Sequence, residues 1–104
     1  MASYSRGTRR ERIAKEILER SGYEVVRAAG SHGRYDLVAI GEEDIRLIQV
    51  KSVKPSERIR QKYLEGPDGK LEVKREIWVW LGKDAFRVIS KGGEEWIVLR
   101  YSTE

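Results

Sequence analysis

The chain predicts an α+β domain with a central mixed β-sheet flanked by helices. Three observations carry that reading. Ile13, Ala14, Ile17 and Leu18 fall at helical spacing near the N-terminus. Three apolar runs with glycine-bounded turns follow between residues 23 and 53. Three more alternate with Gly82-Lys83-Asp84 and Lys91-Gly92-Gly93 toward the C-terminus.

In chain order, residues 1–7 read as a flexible basic arm. Thr8 starts the first helix, because Thr8-x-x-Glu11 fits the capping box. Ser21-Gly22 ends that helix, with Gly22 as a left-handed cap. Tyr23 to Ala28 forms the first strand and Gly30 to Arg34 a loop. Tyr35 to Ile40 and Ile45 to Val53 form a hairpin around Gly41-Glu42-Glu43-Asp44. Leu37 to Ile40 and Leu47-Ile48 are apolar on both faces, as central strands are. Lys54-Pro55 breaks the third strand, and Ser56 caps a short helix to Leu64. Residues 65–70, with Gly-Pro-Asp-Gly, read as a mobile loop. Glu76 to Leu81, Phe86 to Ser90 and Glu95 to Tyr101 complete the strands.

The 104 residues suit one domain, 1–104, with a modest core. Charged side chains make up 37% of the chain, and the net charge is +4. Its distribution is uneven. Residues 1–15 hold Arg6, Arg9, Arg10, Arg12 and Lys15 against Glu11, a local +4. Residues 51–62 hold Lys51, Lys54, Arg58, Arg60 and Lys62 against Glu57, another +4. Two basic clusters on a background of net −4 suggest a polyanion-binding face, against the alternative of a solvated charged surface. The absence of cysteine excludes disulfides, zinc fingers and thiol catalysis. There is no apolar run of transmembrane length and no signal-peptide core at the N-terminus, so a cytoplasmic location is expected. High charge without cysteine also fits a thermophile composition.

Chemistry is concentrated where polar residues interrupt apolar strands. Asp36 opens a hydrophobic run, and Gln49 and Lys51 lie two apart in another, which puts them on one strand face. The hairpin sets Asp36 beside them, and Glu11 reaches the same point if the first helix packs on the sheet. Burying such groups is costly unless they pair or hold an ion. Two carboxylates, an amide oxygen and the Val50 carbonyl are hard donors that suit Mg²⁺ or Mn²⁺. Each residue also has a plainer reading. Glu11 can be the capping-box acid of Thr8, Asp36 a turn residue bonded to its own backbone, and Gln49 and Lys51 a solvent-facing pair on an edge strand.

Taken together, Arg6-Gly7-Thr8 through Glu11, Gly22 to Ser31, Asp36-Leu37-Val38-Ala39 and Ile48-Gln49-Val50-Lys51-Ser52 resemble the PD-(D/E)XK nuclease superfamily. Within it, they are most similar to the archaeal-type Holliday junction resolvases. The resemblance covers roughly the first half of the chain, in order and in register. It implies a restriction-endonuclease-like fold and a homodimeric, metal-dependent DNA endonuclease that makes paired cuts in four-way junctions. Glu11, Asp36 and Gln49 would hold Mg²⁺, with Mn²⁺ able to substitute, and Lys51 would orient the attacking water and stabilise developing charge. A prokaryotic or viral source and a nucleoid-associated role follow from the same resemblance.

Two positions depart from the superfamily pattern. Tyr35 stands where its name has Pro, and Gln49 stands where Glu or Asp is usual. Gln keeps an oxygen but loses a charge. That opens two alternatives, another repair or restriction-like DNase of the superfamily and a catalytically weakened DNA-binding module.

For DNA contact, Arg6, Arg9, Arg10 and Arg12 are candidates for backbone phosphates, and Lys54 and Arg58 for a second track. Ser31, in a glycine-flanked loop, can approach a phosphate closely; His32 and Arg34 either join it or simply solvate the loop. Trp78, Trp80 and Trp96 read as core or subunit interface ahead of base-stacking platforms. Glu76 to Leu81 is apolar on both faces, which suggests a buried subunit interface.

Overall fold

The computed structural model describes residues 2–28, 35–66 and 73–100, and in the first helix the side chains from Arg9 onward. The element order is α1 (Ala2–Arg20), β1 (Glu24–Arg27), β2 (Leu37–Ile40), β3 (Ile45–Lys51), α2 (Glu57–Leu64), β4 (Val73–Gly82), β5 (Ala85–Ser90) and β6 (Glu95–Leu99). The six strands lie in chain order across one sheet. Only β3 and β4 pair in parallel, and the other neighbours are antiparallel, so the sheet is mixed as expected. The parallel step needs a crossover, and α2 lies in it.

Apolar periodicity explains both layers. Ile13, Ala14, Ile17 and Leu18 of α1 pack with Val25, Leu37, Ala39, Ile48, Trp78, Phe86 and Val88 on one face. Leu64 of α2 packs with Ile77, Val79 and Ile89 on the other. Each large side chain so buried contributes about 1.5–3 kcal/mol. Ser56 caps α2, its side chain accepting from the Ile59 N–H at 3.3 Å. Gly22 closes α1 at φ 96°, the left-handed cap its position predicted.

Several boundaries differ from the sequence reading. Helix α1 begins at Ala2, so residues 2–7, expected as an arm, continue the helix. Thr8 therefore lies inside it, and Glu11 is not a capping-box acid. β4 starts three residues before Glu76, because its parallel ladder with β3 extends back to Val73. The double-faced apolarity of β4 has its explanation within one chain. Trp78 faces the α1 layer, while Ile77 and Val79 face the α2 layer. β2 is less enclosed than its sequence suggested, with Ile40 exposed.

One buried charge was not anticipated. Glu76 is 2% exposed. It accepts from Arg46 Nη2 at 2.6 Å and from Trp78 Nε1 at 2.9 Å. Arg46 in turn lies over the rings of Tyr23 and Trp78, at 5.3 and 5.7 Å from their centroids. Burial lowers the Arg46 pKa, but the Glu76 carboxylate, with a smaller contribution from Tyr23, outweighs that and leaves it raised.

Candidate active site

The β2–β3 hairpin has a turn end and an open end. A groove lined by Tyr23, Gly41, Asp44 and Lys74 lies at the turn end. Asp36, Gln49 and Lys51 lie at the open end, where the two strands begin to separate.

Asp36 organises that end. The ladder pairs Leu37 with Ile48. One residue earlier it slips, and the Asp36 N–H donates to the Ile48 carbonyl at 2.9 Å. The Val50 N–H then donates to Asp36 Oδ2, also at 2.9 Å. The carboxylate thus takes the place of a strand carbonyl. A strand residue directs its N–H and C=O to the same side, so the Val50 carbonyl faces the gap that Asp36 occupies. Burial pushes the Asp36 carboxyl above the usual range, and the Val50 N–H, Lys51 and Arg27 only partly oppose it.

Gln49 and Lys51 pair with Ile77 and Val79 of β4. Aligned partners share a face, which places both on the α2 side of the sheet. There the Lys51 Nζ lies 5.1 Å from the centroid of the Tyr63 ring, with Lys62 Nζ 5.4 Å from the same ring.

Glu11 approaches from the α1 side. Its Oε1 accepts from Arg27 Nη2 at 3.1 Å and from Arg27 Nε at 3.4 Å. Arg27 is thus bonded to one candidate carboxylate while its charge lowers the other. The sequence reading did not single out Arg27, yet a signal was present: it alternates with Val25, whose side chain is buried under α1.

Among the described residues, no group of three or more Asp, Glu, His or Cys side chains forms a metal site. Of the expected oxygen donors, Glu11 lies on the α1 side and Gln49 on the α2 side of the sheet, and the hydrogen bond that joins two of the candidate residues runs from the Val50 N–H to Asp36. These hard oxygens fit Mg²⁺ or Mn²⁺, and Asp36, whose charge is penalised by burial, is the donor that a cation would relieve.

The expected DNA contacts divide three ways. Arg9, Arg12, Lys54 and Arg58 are exposed. Arg10 is half-buried, its guanidinium 5.8 Å from the centroid of Trp80. The Arg6 side chain and residues Ser31, His32 and Arg34 lie outside what is described. Trp78 and Trp80 pack on Phe86, with ring centroids 5.4 and 5.2 Å away, whereas Trp96 is exposed.

A helix-led mixed sheet with a half-buried aspartate at an open hairpin end invites comparison with nucleases. The model of the archaeal Holliday junction resolvase (Hjc) family matches residues 2–103. The chain belongs to this family. Residues 53–103, where the sequence motifs carried no resemblance of their own, are included in the match. Membership assigns the chain to the Holliday junction resolvase nucleases, and its mixed sheet with two helices is consistent with their restriction-endonuclease-like fold. A search of curated proteins returned no match. Among the described residues, no helix is long and apolar enough to cross a membrane.

Proposed function

We propose that the chain is a metal-dependent, structure-selective endodeoxyribonuclease that acts as a homodimer and resolves four-way DNA junctions by paired cuts. The observation that carries this reading is the Asp36 carboxylate, held by the Val50 N–H at the open end of the hairpin and within the field of Lys51.

Asp36, Glu11, the Gln49 amide and the Val50 carbonyl would hold Mg²⁺, with Mn²⁺ able to substitute. When bound, such a cation supplies an activated water and offsets charge developing on the phosphoryl group. Lys51 orients the attacking water and stabilises the developing negative charge. With Glu11 and Asp36 ionised, the donor set carries −2 even though Gln49 adds none. Arg6, Arg9, Arg10, Arg12, Lys54 and Arg58 track backbone phosphates, with Ser31, His32 and Arg34 as further candidate phosphate contacts. Such contacts position the junction without reading its sequence, and binding weakens steeply with salt. Two cuts in one junction require two sites, which a two-fold dimer supplies. The place of action is then the nucleoid.

The test is cleavage of a labelled four-way junction by the full chain with Mg²⁺ or Mn²⁺, beside flap and linear duplex. Preferential cutting of the junction is expected. Lys51→Ala is expected to lower the rate by about 100-fold or more while binding changes by less than about threefold. Equal cutting of every substrate favours a general DNase of the superfamily. The uncharged Gln49 amide favours a second reading, a DNA-binding module with weakened catalysis; junction binding with no cutting under either metal supports it.

A further inference from the structure

We propose that Tyr63 is a positioning residue for Lys51, and that Tyr35 clamps it there. The proposal rests on the nuclease reading for its catalytic consequence. Its geometry stands apart from that reading.

A lysine head is a hydrated point charge on a flexible stem, and it samples many rotamers unless something restrains it. Lys51 is the last residue of β3, and its ladder pairing with Val79 sets the stem on the α2 side while leaving the head to its own rotamers. Its Nζ lies 5.1 Å from the Tyr63 ring centroid, inside the range of about 6 Å for cation–π attraction. Tyr63 is set in the last turn of α2, where carbonyls lack partners within the helix. Its own carbonyl accepts from the Tyr35 hydroxyl at 2.8 Å. The two rings also meet edge-on, with centroids 6.3 Å apart and planes at 72°.

Tyr35 is the chain neighbour of Asp36. One hydroxyl therefore ties the segment that carries the carboxylate to the ring that holds the lysine. This gives a physical role to the departure from Pro at position 35, since a proline there has no hydroxyl to donate. Tyr63 also packs against the Leu64, Ile77, Val79 and Ile89 cluster, so a purely structural role is the alternative to be separated. The same ring carries Lys62, and the lysine signals must be told apart.

The experiment uses the full chain with its lysines reductively ¹³C-methylated. The Lys51 methyl signal, assigned with Lys51→Arg, is expected upfield of ordinary lysine methyls through the ring current of Tyr63. Tyr63→Phe should retain the shift and Tyr63→Leu should abolish it. In single-turnover cleavage of a four-way junction with Mg²⁺, Tyr63→Leu should lose about 10-fold in rate with junction affinity within about twofold of the parent. Tyr63→Phe should stay within about twofold, and Tyr35→Phe should lose about threefold. A Lys51 signal at the ordinary position in the unaltered chain overturns the proposal without any variant having to fold. Cleavage by Tyr63→Leu equal to that of the parent overturns the positioning role. A Tyr63-dependent shift in a parent chain that cuts no DNA supports the contact and overturns the nuclease reading instead.

Discussion

Arg27 of β1 and Glu11 of α1 form an ion pair of 3.1 Å, and the same guanidinium lowers the carboxyl of Asp36 against the effect of burial. On the proposed function, a cation held by these carboxylates would compete with a resident positive charge. The pair is only about three-quarters buried, with side chains 27% and 23% exposed, so the competition is screened by solvent. Arg27→Gln is expected to tighten Mn²⁺ binding by about threefold, read by electron paramagnetic resonance of free Mn²⁺. An unchanged affinity would separate Arg27 from the metal site.

Asp36 gives a pH-dependent signature. Its carboxyl is raised from an ordinary value of 3.8, chiefly by burial. A raised carboxyl favours the fold while protonated in both states, and that advantage is lost as pH rises through the native value. Asp36→Asn keeps an oxygen for the Val50 N–H and removes the charge. Below pH 3.8 the variant should match the parent. At neutral pH it should melt higher than the parent, by an amount reduced by solvent screening of a half-buried group. Cleavage should be lost over the same series. A lower melting temperature at neutral pH would contradict the burial argument.

Gln49 is the departure with the largest chemical consequence. Gln49→Glu restores a charge to the donor set, which rises from −2 to −3 when all three carboxylates are ionised. Mg²⁺ affinity is expected to rise about 10-fold, and cleavage at low Mg²⁺ to rise with it. Titration calorimetry with Mg²⁺ beside junction cleavage reads both. A variant that binds no more tightly would place Gln49 outside the donor set.

The Arg46–Glu76 pair concerns stability rather than chemistry. Its side chains are 14% and 3% exposed, so removing one partner strands a buried charge. Arg46→Met is expected to cost about 3 kcal/mol in urea unfolding. The double variant Arg46→Met with Glu76→Leu should recover part of that loss. Additive losses would mean that the two charges are not coupled in the fold.

The candidate site was legible where local pattern carried it. Asp36 at the head of an apolar run, and Gln49 and Lys51 at a spacing of two, needed only strand alternation to become candidates. The turn at Gly41 then set both at the open end of one hairpin. The Ser56 cap and the Gly22 cap were equally local, since each depends on one residue and its immediate neighbours. Helix α1 starts earlier than its sequence predicts, because Thr8-x-x-Glu11 matches a capping box by chance and the helix continues back to Ala2.

The strand alternation and the helix caps are thus readable from the chain, beside the residue types available for chemistry. The alternation and the caps are set by backbone geometry within a few residues. Packing in three dimensions is what brings Arg27 to Glu11, the Tyr35 hydroxyl to the Tyr63 carbonyl 28 positions away, and Glu76 into burial beside Arg46. Those contacts join elements that are distant in the chain. They arise from how α1 and α2 seat on opposite faces of the sheet and from the parallel register of β3 with β4, and a spacing rule along one strand or helix holds no information about either.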